Sequence, residues 1–125
     1  MNNSINWFEI PTHDMDRAVR FYEQTLGVTL EREVFGGMPH AIFPVSAEDR
    51  GVTGAIVTAP HLAPTRGGVV IYLEAPDGVE VTLGRARAAG ADVVIPHTSI
   101  GENGWIAVIA DPEGNQVGIH SRTRP

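Results

Sequence analysis

Two landmarks recur at one spacing. Asp14 and Asp77 are 63 residues apart, and so are Gly27 and Gly90. Each Asp stands where a helix would begin, and each Gly where a helix would stop. Between the first pair, Met15, Ala18, Val19, Tyr22 and Leu26, with Phe21 alongside, follow the i, i+3, i+4, i+7 spacing of an amphipathic helix. Between the second pair, Val79, Leu83, Ala86 and Ala89 form a thinner stripe, and Glu80 three residues after Asp77 completes a capping-box pattern. Strand-like segments flank both helices: residues 5–10, 28–35, 38–45 and 52–58 around the first, and 69–74, 91–95, 104–110 and 116–120 around the second. Each half reads strand, helix, strand, strand, strand. A unit repeated in tandem predicts internal pseudo-symmetry. The expected fold is therefore α+β, with two βαβββ modules over about residues 5–58 and 69–121. A linker of about residues 59–68, with Pro60, Pro64 and a Gly pair, joins them. At 125 residues the whole of 1–125 reads as a single domain.

Composition narrows the partners. A net charge of −6, with no more of a basic cluster than a pair such as Arg122 and Arg124 at the tail, leaves no stripe to neutralise phosphates, which argues against nucleic acid. No apolar run approaches the roughly 18 residues that a membrane span needs. The start, Met-Asn-Asn-Ser-Ile, lacks the basic and apolar regions of a signal peptide. There is no cysteine, hence no disulfide, thiolate ligand or cysteine nucleophile, which fits a reducing cytoplasm. Gly36-Gly37 and Gly67-Gly68 are turn glycines without the strand-to-helix context of a phosphate loop, and no Gly-x-Ser-x-Gly elbow is present. The segment 46–51 reads as a polar loop.

Residues 111–121, Asp-Pro-Glu-Gly-Asn-Gln-Val-Gly-Ile-His-Ser, close the chain with a turn and a strand. Pro112 fixes φ, while Gly114 and Asn115 tolerate positive φ. Alternation then puts Val117 and Ile119 on one face, suited to a core, and Gly118 and His120 on the other.

These motifs carry a resemblance. The first helix, Asp-Met-Asp-Arg-Ala-Val-Arg-Phe-Tyr-Glu over residues 14–23, followed by Leu26-Gly27, and the Asp-Pro-Glu-Gly-Asn turn over residues 111–115 resemble the vicinal oxygen chelate superfamily. That superfamily includes glyoxalase I, the bleomycin-resistance proteins and the extradiol dioxygenases. The resemblance implies a cup-shaped mixed sheet with the helices outside, a small molecule in the cup, and a homodimer. In the metalloenzymes of the group it also implies a divalent ion held by His, Gln and Glu, acting as a Lewis acid.

Carried over position by position, the usual ligand places are Trp7, Ala55, Val70 and Gly118, none of which offers a metal-binding side chain. The resemblance thus implies a small-molecule binder without metal or other cofactor at the usual place. The alternative is a glyoxalase-like lyase or isomerase, or a dioxygenase, with a displaced divalent metal or a metal-free acid–base site. Shifting by two residues keeps the face of a strand and brings in Glu9, Tyr72 and His120, the candidate catalytic groups. A histidine titrates near neutrality and suits a general base. The expected ligand-binding set is Trp7, Glu9, His40, Val70, Tyr72, Trp105 and His120. His40 shares parity with Met38 and Ile42, and Trp105 follows a Gly101-Glu102-Asn103-Gly104 loop of the kind that closes over a ligand. His13, His61, His97 and Glu102 read as surface groups.

Overall fold

The structure, a computed structural model, describes residues 5–45 and 51–125. The polar loop expected over 46–51 lies outside the described residues except for Gly51, as do the first four residues. In chain order the elements are β1 (Trp7–Pro11), α1 (Met15–Leu26), β2 (Glu31–Phe35), β3 (Met38–Ile42), β4 (Thr53–Val57), β5 (Tyr72–Glu74), α2 (Val79–Ala88), β6 (Asp92–Ser99), β7 (Trp105–Ala110) and β8 (Gln116–Ser121). They build two open four-stranded mixed sheets, ordered β1-β4-β3-β2 and β5-β8-β7-β6. No helix among the described residues is long and apolar enough to cross a membrane.

The duplication extends to strand register. In the parallel pair β1/β4, Glu9 faces Ala55, Ile10 faces Ile56 and Pro11 faces Val57. In β5/β8, Tyr72 faces Gly118, Leu73 faces Ile119 and Glu74 faces His120. Adding 63 to both members of each first pair gives the second.

Helix α1 forms as its sequence demands. The Asp14 carboxylate accepts the Arg17 N–H at 3.1 Å, and Gly27 ends the helix with φ of 70°, where an L side chain is strained. Helix α2 departs from the expected cap. It starts at Val79 behind Gly78 with no side-chain cap, because the Asp77 carboxylate is taken by Arg85 at 2.8 Å. Strand β5 is shorter than the apolar run 69–74. At the start of β8 the Gln116 N–H bonds the linker's Thr65 carbonyl, so residues 69 and 70 find no ladder partner there. Strand β6 runs longer than expected, through Pro96. It is an edge strand with two register shifts, a setting that tolerates proline.

Both helices pack into one hydrophobic core. It joins Ile10, Phe21, Tyr22, Leu26, Phe43 and Ile56 of the first module to Leu73, Val79, Leu83, Ile109, Val117 and Ile119 of the second. Rings stack through it from Phe8 to Phe43, then Tyr22 and Phe21, at 5.5, 5.8 and 4.9 Å between centroids. The opposite, helix-free face of the first sheet carries Trp7, Glu9, His40, Ala55 and Val57. Part of it is covered by the linker, whose Leu62 packs on Ala55, Val57 and Ala59.

The closing turn fastens the modules together. Asp111 is buried and accepts the Tyr22 hydroxyl at 2.6 Å, the backbone N–H groups of Glu113 and Asn115 at 2.9 and 2.8 Å, and Asn115 Nδ2 at 3.3 Å. Burial first, then the adjacent Asp111 carboxylate, hold the Tyr22 phenol well above its ordinary 10.0, so it remains a donor at neutral pH. Asn115 Nδ2 also donates to the Pro11 carbonyl at 2.8 Å. Glu113 accepts from Thr12 at 2.5 Å and from Arg17 Nε at 2.6 Å.

Burial pushes the Glu113 carboxyl up, but hydrogen bonds from Arg17 and Thr12 and the Arg17 charge outweigh it and hold it below its ordinary 4.5. A depressed carboxylate stabilises the fold above the unfolded-state value and loses that contribution as pH falls through the folded one. Wild type is therefore expected to exceed Glu113→Gln in stability at pH 7, with the gap narrowing below about pH 4.5. Urea melts of both proteins from pH 3 to 7 check this, and a gap that does not change with pH would refute it.

Candidate functional site

Alternation along β1 turns Trp7 and Glu9 to the helix-free face, while Phe8 and Ile10 enter the core. The indole Nε1–H of Trp7 reaches Glu9 Oε2 at 3.4 Å, and Trp7 remains 42% exposed. Two strands away, His40 is buried and lies edge-on to Phe35, with centroids 5.0 Å apart. Its Nδ1–H donates to the Met38 carbonyl at 2.8 Å. A carbonyl can only accept, so this bond directs Nε2 outward, to 3.8 Å from Glu9 Oε2. Trp7, Glu9 and His40 thus form one group on the first sheet.

On the second sheet Tyr72 and Gly118 face each other across β5/β8. A Cβ at position 118 would overlap the Tyr72 ring at Cγ, Cδ2 and Cε2, so the bare glycine is the seat of the tyrosine. The ring is 48% exposed. Next along β8, His120 Nε2–H donates to the Asn103 carbonyl at 2.8 Å, which ties it to the short 3-10 turn Gly101–Asn103.

The remaining expected residues fall in separate places. Glu9 and His120 do not meet: no hydrogen bond or ion pair among the described residues joins them. Glu9 belongs to the first sheet and contacts His40, while His120 belongs to the second and turns to Asn103. Trp105, expected in the strand 104–110 beside a closing loop, does not line the cavity. It is the first residue of β7, and alternation puts it with Ala107 and Ile109 on the helix side, where it packs against the core.

The main opening lies elsewhere. A cavity of about 550 Å³ separates β1 from β5, one edge strand of each sheet. Phe8, Leu26, Val28, Phe43 and Val52 line it from the first module, and Val69, Val70, Ile71, Tyr72, Leu73 and Glu74 from the second. Of the residues expected to bind a ligand, it therefore gathers Val70 and Tyr72, and it leaves Trp7, Glu9, His40, Trp105 and His120 outside. The remaining lining was missed because it depends on how two modules pack. One signal was present: the offset of 63 aligns Val52 with Asn115, replacing the polar residue that closes the matching position in the other half.

The donor set does not fit a divalent ion at the places the superfamily uses. Trp7, Ala55, Val70 and Gly118 present carbon, an indole N–H or nothing. Among the described residues, no three His, Asp or Glu side chains lie together in a way that could hold a metal.

Comparison with known proteins agrees with the architecture. The sequence profile of the Glyoxalase/Bleomycin resistance protein/Dioxygenase superfamily matches residues 4–119. CFP32 of Mycobacterium bovis and of Mycobacterium tuberculosis, whose name assigns it provisionally to the glyoxylases, is 30% identical over 109 residues. That alignment covers 86% of this chain but 40% of CFP32, so the chain spans less than half of these relatives. Among solved structures, glyoxalase I from Zea mays superposes with a TM-score of 0.68 at 19% identity, over 94% of this chain and 45% of that one. A glyoxalase/bleomycin resistance protein from Albidiferax ferrireducens gives 0.69 at 20% identity, over 94% and 98% of the two chains. At these identities the superpositions speak for the fold alone. With two βαβββ modules in matching register and a family profile that spans nearly its whole length, the chain belongs to the Glyoxalase/Bleomycin resistance protein/Dioxygenase superfamily.

Proposed function

We propose that the chain binds a small, mainly apolar molecule in the cavity between β1 and β5. The observation that carries this is the cavity itself: about 550 Å³, walled by aliphatic and aromatic side chains, with Thr53, Tyr72 and Glu74 supplying polarity. Size and lining are those of a ligand pocket rather than a packing defect. Val52 immediately precedes β4 and is partly exposed, so a larger side chain there would occupy the cavity without entering the main core. Expected is saturable displacement of an environment-sensitive apolar dye by small hydrophobic compounds, and at least a tenfold loss of dye affinity in Val52→Trp with unfolding temperature retained. Dye binding that is indifferent to Val52→Trp would sink the reading.

A second reading is favoured by the geometry of Glu9 and His40. A histidine held at Nδ1 by a carbonyl, with Nε2 presented beside a carboxylate, suits acid–base chemistry without a metal, of the glyoxalase-like lyase or isomerase type. On this reading His40→Ala and Glu9→Gln each abolish turnover of an α-hydroxycarbonyl substrate, while His120→Ala retains it. Turnover that survives in all three variants would exclude it.

A further inference from the structure

The cavity has a counterpart that is closed. Under the offset of 63, Glu74 corresponds to Pro11 and Val52 to Asn115. On the counterpart side Asn115 Nδ2 spans to the Pro11 carbonyl, and Tyr22 and Asp111 fill the space behind. On the cavity side Val52 has no such group to offer, and among the described residues the gap between the modules remains. Strand β5 presents its free edge to that gap. Ile71 O and Ala75 N bond to β8, so the backbone groups of the alternate residues, Tyr72 and Glu74, point the other way.

The charges around this opening are one-sided. Among the described residues, Glu74 is the sole charged residue in the cavity lining, and its carboxylate has no hydrogen bond or ion pair there. The chain contains no lysine, and no described arginine lines the cavity. Arg17, Arg32, Arg66 and Arg85 are engaged elsewhere, by Glu113, Asp16, Asp92 and Asp77. The net charge of −6 adds a field of the same sign. The neighbouring Tyr72 ring, half exposed on its glycine seat, supplies a π-face of the kind that attracts a cation.

We infer that the ligand of this cavity is an organic cation: an apolar body carrying an ammonium or guanidinium group that pairs with Glu74 beside the Tyr72 ring. This rests on the reading of the cavity as a ligand site and adds the sign of the ligand's charge. Carboxylates, phosphates and anionic thiol conjugates are disfavoured by the same carboxylate.

Three probes that share one body separate the two claims: 4-phenylbutylamine, 4-phenylbutanol and 4-phenylbutyrate, titrated calorimetrically at pH 7 and low salt against wild type, Glu74→Gln and Val52→Trp. The amine is expected to bind about 5- to 20-fold more tightly than the alcohol, with the acid weakest. Glu74→Gln should remove the advantage of the amine and leave the alcohol unchanged, and Val52→Trp should weaken both. If amine and alcohol bind alike, or Glu74→Gln changes nothing, the charge assignment is wrong while the cavity reading stands. If no probe binds, or the amine binds Val52→Trp undiminished, the cavity reading falls and the assignment with it.

Discussion

Asp111→Ala is expected to destabilise the protein by about 3–5 kcal/mol, lowering the unfolding temperature by roughly 10–20 °C. The size follows from what the carboxylate does. It accepts four hydrogen bonds, from Tyr22, from two backbone N–H groups of its own turn and from the Asn115 amide, in a position that water does not reach. Removing it leaves the Tyr22 hydroxyl, at 1% residue exposure, without an acceptor. A buried donor left unsatisfied costs about 1–3 kcal/mol, and hydrogen bonds to a charged group add about 1.5–3 kcal/mol. Tyr22→Phe alone should cost about 1.5–3 kcal/mol. The double variant should cost less than the sum, by about 1–2 kcal/mol, because the hydroxyl that Asp111→Ala orphans is already gone. Guanidinium melts of the two single variants and the double complete the cycle. Strict additivity would mean that the 2.6 Å contact does not couple the two modules.

That network also marks how far the sequence could be read. The repeat of Asp14 and Gly27 at Asp77 and Gly90 located both modules, and the register of β1/β4 and β5/β8 repeats at the same offset. Side-chain alternation sorted Val117 and Ile119 from Gly118 and His120, because a strand with one buried face has a single workable register. What escaped was everything set by the packing of one module on the other. The motif at residues 111–115 was legible as a turn, but not as the fastening that receives Tyr22 from 89 residues away. Leu62 sat in a stretch read as a bare linker, yet it covers part of a sheet. Trp105 was read within its strand but assigned to a ligand on account of the loop before it. Its shared parity with Ala107 and Ile109 was the available clue. The cavity was invisible for a simpler reason: periodicity reports which face of a strand is buried and says nothing about a gap between two strand edges.

The second large effect concerns two glycines that look alike in sequence and differ in what lies over them. In each sheet an aromatic ring rests on the glycine paired with it across a parallel ladder, Phe8 over Gly54 and Tyr72 over Gly118. At Gly54 an added methyl would meet the Phe8 ring and also the Phe8 backbone carbonyl, which cannot swing aside, on the side of the sheet that faces the core. Gly54→Ala is therefore expected to cost about 3 kcal/mol, at the upper end for overpacking. At Gly118 the nearest obstacles all belong to the Tyr72 side chain, and that side chain is half exposed. Gly118→Ala should cost about 1–2 kcal/mol, with the ring displaced toward the cavity it lines. Removing the ring first tests this directly. In a Tyr72→Ala background, Gly118→Ala should become nearly neutral, whereas Gly54→Ala should keep its full cost, since the residues it disturbs belong to the other sheet. Chemical denaturation of these variants provides the energies, and the Tyr72 ring resonances report the displacement. If Gly118→Ala is as costly without the tyrosine as with it, the bare position is required by the strand itself and not by the ring seated on it.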